Sequence, residues 1–154
     1  MRRIDRQVTE PEQIRQILDQ CKVCRIAMQD EEGLYIVPLN FAYQWDGELT
    51  LYFHSAKEGR KLDAFRKNPS VAFEMDCSHQ LIEAEKPCSF SFLYASIVGT
   101  GKAEMVENIA EKIEALEKLM LHQSGKAFSF DEKMANTVAV FKIRVSSFSG
   151  KAHL

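Results

Sequence analysis

Residues 34–54 read LYIVPLNFAYQWDGELTLYFH, a run rich in β-branched and aromatic side chains broken by a single turn signal, Asp46-Gly47. Side chains of this kind fit a pleated, half-buried surface. A two-residue type I′ turn needs positive φ at both central positions, which Asp-Gly supplies. The spacing therefore predicts that 34–45 forms one long strand and that 48–54 pairs back on it antiparallel.

Upstream, residues 30–33 read as a turn and 23–29 as another strand, after a helix over about 10–21. Ile14, Ile17, Leu18 and Cys21 give that helix its apolar face, and Thr9 with Glu12 forms a capping-box pattern at its start. Downstream, Ser55 with Glu58 repeats the capping box. Leu62 and Phe65 mark a short helix that Asn68-Pro69 ends. A brief strand over 70–76 follows, and 77–87 reads as a loop or an irregular edge. Residues 90–106 form a long strand bent at Gly99-Thr100-Gly101. Ile109, Ile113, Leu116 and Met120 mark a third helix stopping near Gly125, and the alternation of Ala139, Phe141, Ile143 and Val145 predicts a last half-buried strand.

The expected fold is mainly β (α+β), with six or seven antiparallel strands and about three peripheral helices in one domain, 1–154. The order lacks the regular alternation of a doubly wound sheet, and a small barrel closes sheet edges economically.

Twenty basic and 22 acidic residues leave a net charge of −2, so no global field draws the chain to nucleic acid or to an anionic membrane. The run Met1-Arg2-Arg3-Ile4-Asp5-Arg6 has no apolar signal-peptide core, and no 18 apolar residues run together. A cytoplasmic protein is expected. Cys21, Cys24, Cys77 and Cys88 are expected to be free thiols, because a core of this size needs no disulfide framework. Zinc is weighed for Cys21-x-x-Cys24 with Cys77-x-His79 and Cys88, but Cys21 closes a helix, the wrong end for thiol activation, and no metal is expected. His79, His122 and His153 read as surface residues.

Chemistry concentrates in Phe53-His54-Ser55-Ala56-Lys57-Glu58-Gly59-Arg60-Lys61, where a strand hands over to a helix. A helix N-terminus offers unpaired N–H groups and partial positive charge, and Gly59, Arg60 and Lys61 add close backbone approach and two cations. That combination describes a phosphate site. The same residues also read as a capped helix with a solvated basic face, and Glu58 opposes an anion. A nucleic-acid patch of Lys57, Arg60, Lys61, Arg66 and Lys67 is a third reading, without a recognition motif to support it.

Residues 53–61, with Ile36-Val37-Pro38-Leu39-Asn40-Phe41, Leu49-Thr50-Leu51-Tyr52, Cys21-Lys22-Val23-Cys24-Arg25 and Val98-Gly99-Thr100-Gly101-Lys102-Ala103-Glu104, resemble the 5-nitroimidazole-resistance branch of the pyridoxamine-phosphate-oxidase-like family. The similarity runs in order over nearly the whole chain. It implies a split β-barrel homodimer with FMN between the subunits. Arg60 and Lys61 would hold the phosphate beside Ser55 and Ala56, Val37, Pro38, Leu39 and Asn40 would present backbone to the flavin ring, and His54 would point toward the site as orienting group or proton donor, or else as packing. Tyr94, Ser96 and Val98 are candidates for the dimer groove.

The resemblance implies an FMN-dependent oxidoreductase acting on a small nitroaromatic acceptor, with an unknown electron donor. The cofactor would carry the chemistry, which fits a chain without a Ser-His-Asp order or a paired-carboxylate site. A non-catalytic flavin or haem binder, with His54 or His79 as haem ligand, is the alternative. The chain ends SGKAHL, without the arginine-containing motif of the vitamin B6 oxidases, so B6 oxidation is not expected.

Overall fold

The computed structural model describes residues 3–154; Met1 and Arg2, the start of the run read above for a leader, lie outside it. A short 3-10 turn at Ile4–Arg6 leads to β1 (Gln7–Val8), α1 (Pro11–Gln20), β2 (Val23–Asp30), β3 (Gly33–Asn40), β4 (Ala42–Asp46), β5 (Glu48–Ser55) and α2 (Arg60–Lys67). The chain continues through β6 (Ser70–Ile82), a 3-10 turn at Pro87–Ser89, β7 (Ser91–Met105), α3 (Ile109–Ser124), α4 (Glu132–Ala135) and β8 (Ala139–His153).

All pairings are antiparallel, in the order β3-β2-β6-β7-β8-β5-β4, with β1 added to β8. The fold is a split β-barrel: the sheet curls round a core but stays open between β3 and β4. Residues 34–45 are therefore two strands and not one. The chain leaves one sheet edge, crosses the gap at the fully buried Phe41, and starts the other edge at Ala42. Pro38 is tolerated because β3 is an edge strand with no second ladder to donate to.

Other boundaries moved for local reasons. Pro11 occupies the first turn of α1 and disfavours helical backbone at Glu10, so Glu10, extended at φ −69° and ψ 123°, is the N-cap, and Thr9 caps nothing. The Asp46-Gly47 turn is not type I′: only Gly47 has positive φ, at 80°, and Asp46 pairs directly with Glu48. β6 runs on to Ile82 through a bulge between Cys77 and Gln80, where Ser78 adopts φ 60°. β1 and the short α4 are additions that hydrophobic period did not show.

Two apolar layers result. Inside the barrel, Ile26, Leu51, Phe53, Phe73, Ile97 and Phe141 are buried, and α1 closes one end with Ile14, Ile17 and Leu18. Outside it, Tyr52 and Val140 on the sheet meet Ala115, Leu116 and Leu119 of α3 and Ala135 of α4. The acidic face of α3 tethers this second layer. Glu111 accepts from Lys142 at 2.6 Å and Glu117 accepts from the Phe130 backbone N–H at 3.2 Å. Gly125, at φ 70°, ends the helix.

The register of β7 on β8 shifts between Thr100 and Gly101, where the strand bends. A Cβ at Gly101 would overlap the Arg144 carbonyl and come within 2.7 Å of Ile143 Cγ2. Gly101→Ala is expected to cost about 1–3 kcal/mol as overpacking strain, read as a lower urea midpoint with an unchanged slope.

Candidate functional site

β5 sets the site by alternation. Phe53 points into the barrel, His54 points out toward α3, and Ser55 turns in again and is buried. Ser55 Oγ donates to the Ala56 carbonyl at 2.8 Å, so it tightens the strand exit and does not cap α2. The helix begins later than the capping-box pattern implied. Gly59, at φ 135°, is the N-cap, a conformation that side chains other than hydrogen strain against, and no side chain caps it. Within the helix, Leu62 and Asp63 donate to the Gly59 carbonyl at 2.9 and 3.3 Å. The N–H groups of Arg60 and Lys61 stand at an uncapped N-terminus where partial positive charge collects.

The two cations there differ. Arg60 forks onto Asp30 at 2.6 and 3.0 Å, reaches Glu32 at 3.2 Å, and lies 4.5 Å over the Tyr35 ring, binding α2 to the β2–β3 turn. Its guanidinium holds the Asp30 carboxyl below the usual range by hydrogen bonding. Lys61 is half-buried and makes no ion pair among the described residues. Of the remaining basic residues on α2, Arg66 pairs with Asp63 at 3.1 Å and Lys67 with Glu31 at 2.7 Å. The basic run seen in sequence is thus largely neutralised, which counts against a nucleic-acid patch.

On β3, Val37 and Leu39 face inward against the core, and Pro38 and Asn40 face out. As a sheet edge, β3 keeps one side of its backbone N–H and C=O groups free of strand partners. Asn40 donates to the Lys22 carbonyl and to Gln123 Oε1, each at 3.0 Å, which pins the end of β3 to the end of α3. His54 stands at the rim of a cavity of about 220 Å³ against the same helix. The structure thus sets His54, Asn40 and α3 on one side, with Ser55 and Ala56 leading from His54 to Arg60 and Lys61.

The remaining motif residues have structural roles. Cys21 and Cys24 are buried, and burial pushes both thiols well above their ordinary pKa, so neither is poised as a nucleophile. All four cysteines are free, and no group of three or more metal-ligating side chains occurs among the described residues. His79 Nε2 lies 2.9 Å from Asp76. His122, read as a surface residue, is half-buried. Its Nε2 donates to the Cys21 carbonyl at 2.9 Å, and its ring lies 4.9 Å from Phe41. The helical spacing of His122 from Leu119 and Ala115 was the available signal.

His122 borders a depression of about 760 Å³ between α1, β4 and α3, which shares no residue with the 54–61 region. Its polar groups are satisfied from within. Tyr43 donates to Asp19 at 2.7 Å and Arg15 donates to the Trp45 carbonyl at 2.9 Å. Burial and then the Asp19 bond push Tyr43 up to about 12. We read this depression as a polar seam between elements.

The profile of the family described as pyridoxamine 5'-phosphate oxidase matches residues 10–152, and the chain belongs to that family. Among solved structures, a candidate 5-nitroimidazole antibiotic resistance protein from Bacteroides thetaiotaomicron is 33% identical over 95% of this chain and 86% of its own, with a TM-score of 0.81. The flavocytochrome Anf3 from Azotobacter vinelandii is 18% identical over 100% and 72%, with a TM-score of 0.80. The FAD and heme binding protein from Mycobacterium smegmatis is 18% identical over 96% and 73%, with a TM-score of 0.78. The last two share the fold. No curated protein matches the chain.

Burial lowers the His122 pKa below its ordinary 6.5. The unfolded chain therefore binds the proton more readily, and stability that is complete above about pH 6.5 falls as the pH drops below it. His122→Gln is expected to flatten the fall in urea midpoint between about pH 7 and pH 5.

Proposed function

We propose that the chain is an FMN-dependent oxidoreductase that passes electrons to a small acceptor of the nitroimidazole or nitroaromatic class. The uncapped first turn of α2 at Gly59, beside a cation without an acidic partner, carries this reading. The donors suit a phosphate: two backbone N–H groups at a helix N-terminus and the Lys61 ammonium. Arg60 adds charge but is shared with Asp30 and Glu32, so Lys61 is the principal side chain. The free edge of β3 over Val37, Pro38, Leu39 and Asn40 would offer backbone carbonyls and, except at Pro38, N–H groups to a flavin pyrimidine ring. Ser55 and Ala56 shape the turn between.

When bound, the flavin supplies the electron transfer. The chain's part is to hold the phosphate, orient the ring and shape the opening. His54 would face the acceptor side as an orienting group or proton donor. The 33% identity to the candidate nitroimidazole-resistance protein supports this acceptor class.

A homodimer in the cytoplasm completes the proposal. On β3 and β7, Leu34 is 85%, Ile36 65% and Val98 50% exposed. Tyr94 and Ser96, on the same strand as Val98, are half-buried. Apolar exposure of this kind suits a second copy. No helix among the described residues is long and apolar enough to cross a membrane.

A non-catalytic flavin or haem carrier is the competing reading, drawn from the shared fold of the flavocytochrome. Purified protein is expected to absorb at about 450 nm as a flavoprotein, and a haem Soret band in its place overturns the FMN reading. Lys61→Ala is expected to weaken FMN binding by roughly 1.5–3 kcal/mol, and Arg60→Ala by less, in equilibrium titrations. The double variant should lose the flavin while its far-ultraviolet circular dichroism is unchanged. Ile36→Asp with Val98→Asp is expected to yield monomers by light scattering.

A further inference from the structure

We propose that the cavity behind His54 is a slot for an uncharged planar ring, and that it rejects anionic ligands, phosphorylated pyridines included. Read as the acceptor site, it rests on the proposed oxidoreductase function; read as a binding site, it stands on its own geometry. Leu116, Met120, Phe130, Met134 and Val138 form its walls, and its volume is about 220 Å³. An apolar cavity of about 150 Å³ takes up one benzene, so this one admits a ring with one or two small substituents.

The charge inventory is the stronger argument. No Lys, Arg, Asp or Glu lines the cavity. Its one hydroxyl, Thr137, already donates to the Met134 carbonyl at 2.7 Å. A carboxylate or phosphate entering it would lose its water and find neither a Lys nor an Arg to replace it, a cost that disfavours it strongly. A neutral ring loses little and gains contact with two thioethers, which pack favourably against aromatic edges. His54 at the rim is the only titratable lining group, and it can hydrogen-bond a polar ring substituent left at the opening.

The walls are fixed before any ligand arrives. Glu117 on α3 accepts from the Phe130 N–H at 3.2 Å, and Asp131 caps α4 by accepting from the Met134 N–H at 2.7 Å. These bonds hold the segment carrying Phe130 and Met134 against α3. That helix presents Met120 to the cavity and, one turn on, Gln123 to Asn40 at the open edge of β3. The slot and the proposed flavin edge therefore lie along one helix.

The test uses FMN-saturated protein labelled with [methyl-13C]methionine, titrated with nitrobenzene and, separately, with 4-nitrobenzoate. Nitrobenzene is expected to move the Met120 and Met134 methyl signals saturably and to leave Met28 and Met75 in place, with 4-nitrobenzoate at least tenfold weaker. Met134→Trp, at a half-exposed position, should fill the slot and abolish the Met120 response. Equal response to both probes, movement of Met28 and Met75 alone, or an unchanged titration in the Trp variant would overturn the slot. Flavin occupancy is read by absorbance in the same samples. Bound flavin with silent methionines sinks the slot alone, and ring uptake without bound flavin sinks only the cofactor reading.

Discussion

Phe141 is the post on which the site hangs. On one side it stacks on Phe53, with ring centroids 5.0 Å apart and planes 12° apart, and on the other it meets Phe65 at 4.8 Å. Phe53 is the last inward residue before His54, and Phe65 lies on the inner face of α2. The segment between them, 54–61, is thus clamped at both ends by one buried ring on β8. Each ring buries a large apolar area, and such pairs add to that burial through their geometry. A loop held this way can leave its backbone N–H groups uncapped, because burial on either side, and not a side-chain cap, fixes where α2 starts.

Electrostatics then decides what the clamped segment can meet. Four acidic side chains, Asp30, Glu31, Glu32 and Asp63, surround Arg60 and Lys67, outnumber them, and leave that side of α2 net negative. Lys61 stands outside this group. The separation is a matter of helix geometry, since adjacent positions point about 100° apart. Two neighbouring cations in the sequence consequently differ: one fastens the helix to the β2–β3 turn, and the other makes no ion pair among the described residues.

Much of this was legible in the chain. The period of 139–145, the turn at Asp46-Gly47, the stripe of α3 and the glycine bend near Gly101 each rest on local stereochemistry, and local stereochemistry is written in adjacent residues. The break at Phe41 was not, because it follows from the two halves of one apolar run lying at opposite edges of an open sheet. Nor was the caging of Arg60, whose partners lie about 30 residues upstream; the half-burial of His122 left only its helical spacing from Leu119 and Ala115 as a trace, since it depends on α1 and β4 closing over it. The capping boxes at Thr9 and Ser55 fit a general pattern, but Pro11 and Gly59 impose stronger backbone preferences. The apolar walls behind His54 come from residues 116–138, more than 60 positions away, and no reading of a single motif could assemble them.

β8 pairs with β1, β5 and β7 at once, so it is the seam that turns three separate pieces of sheet into one. It is also the last of these elements to leave a ribosome. Until then β5 and β7 each show an unpaired ladder to the cell, and Phe53 and Phe65 have no Phe141 to rest on. Nascent chains stalled before residue 139 should accordingly be sticky and in need of chaperone shelter, and sequence changes within β8 should reduce yield during synthesis more than they reduce the stability of chains that have already folded.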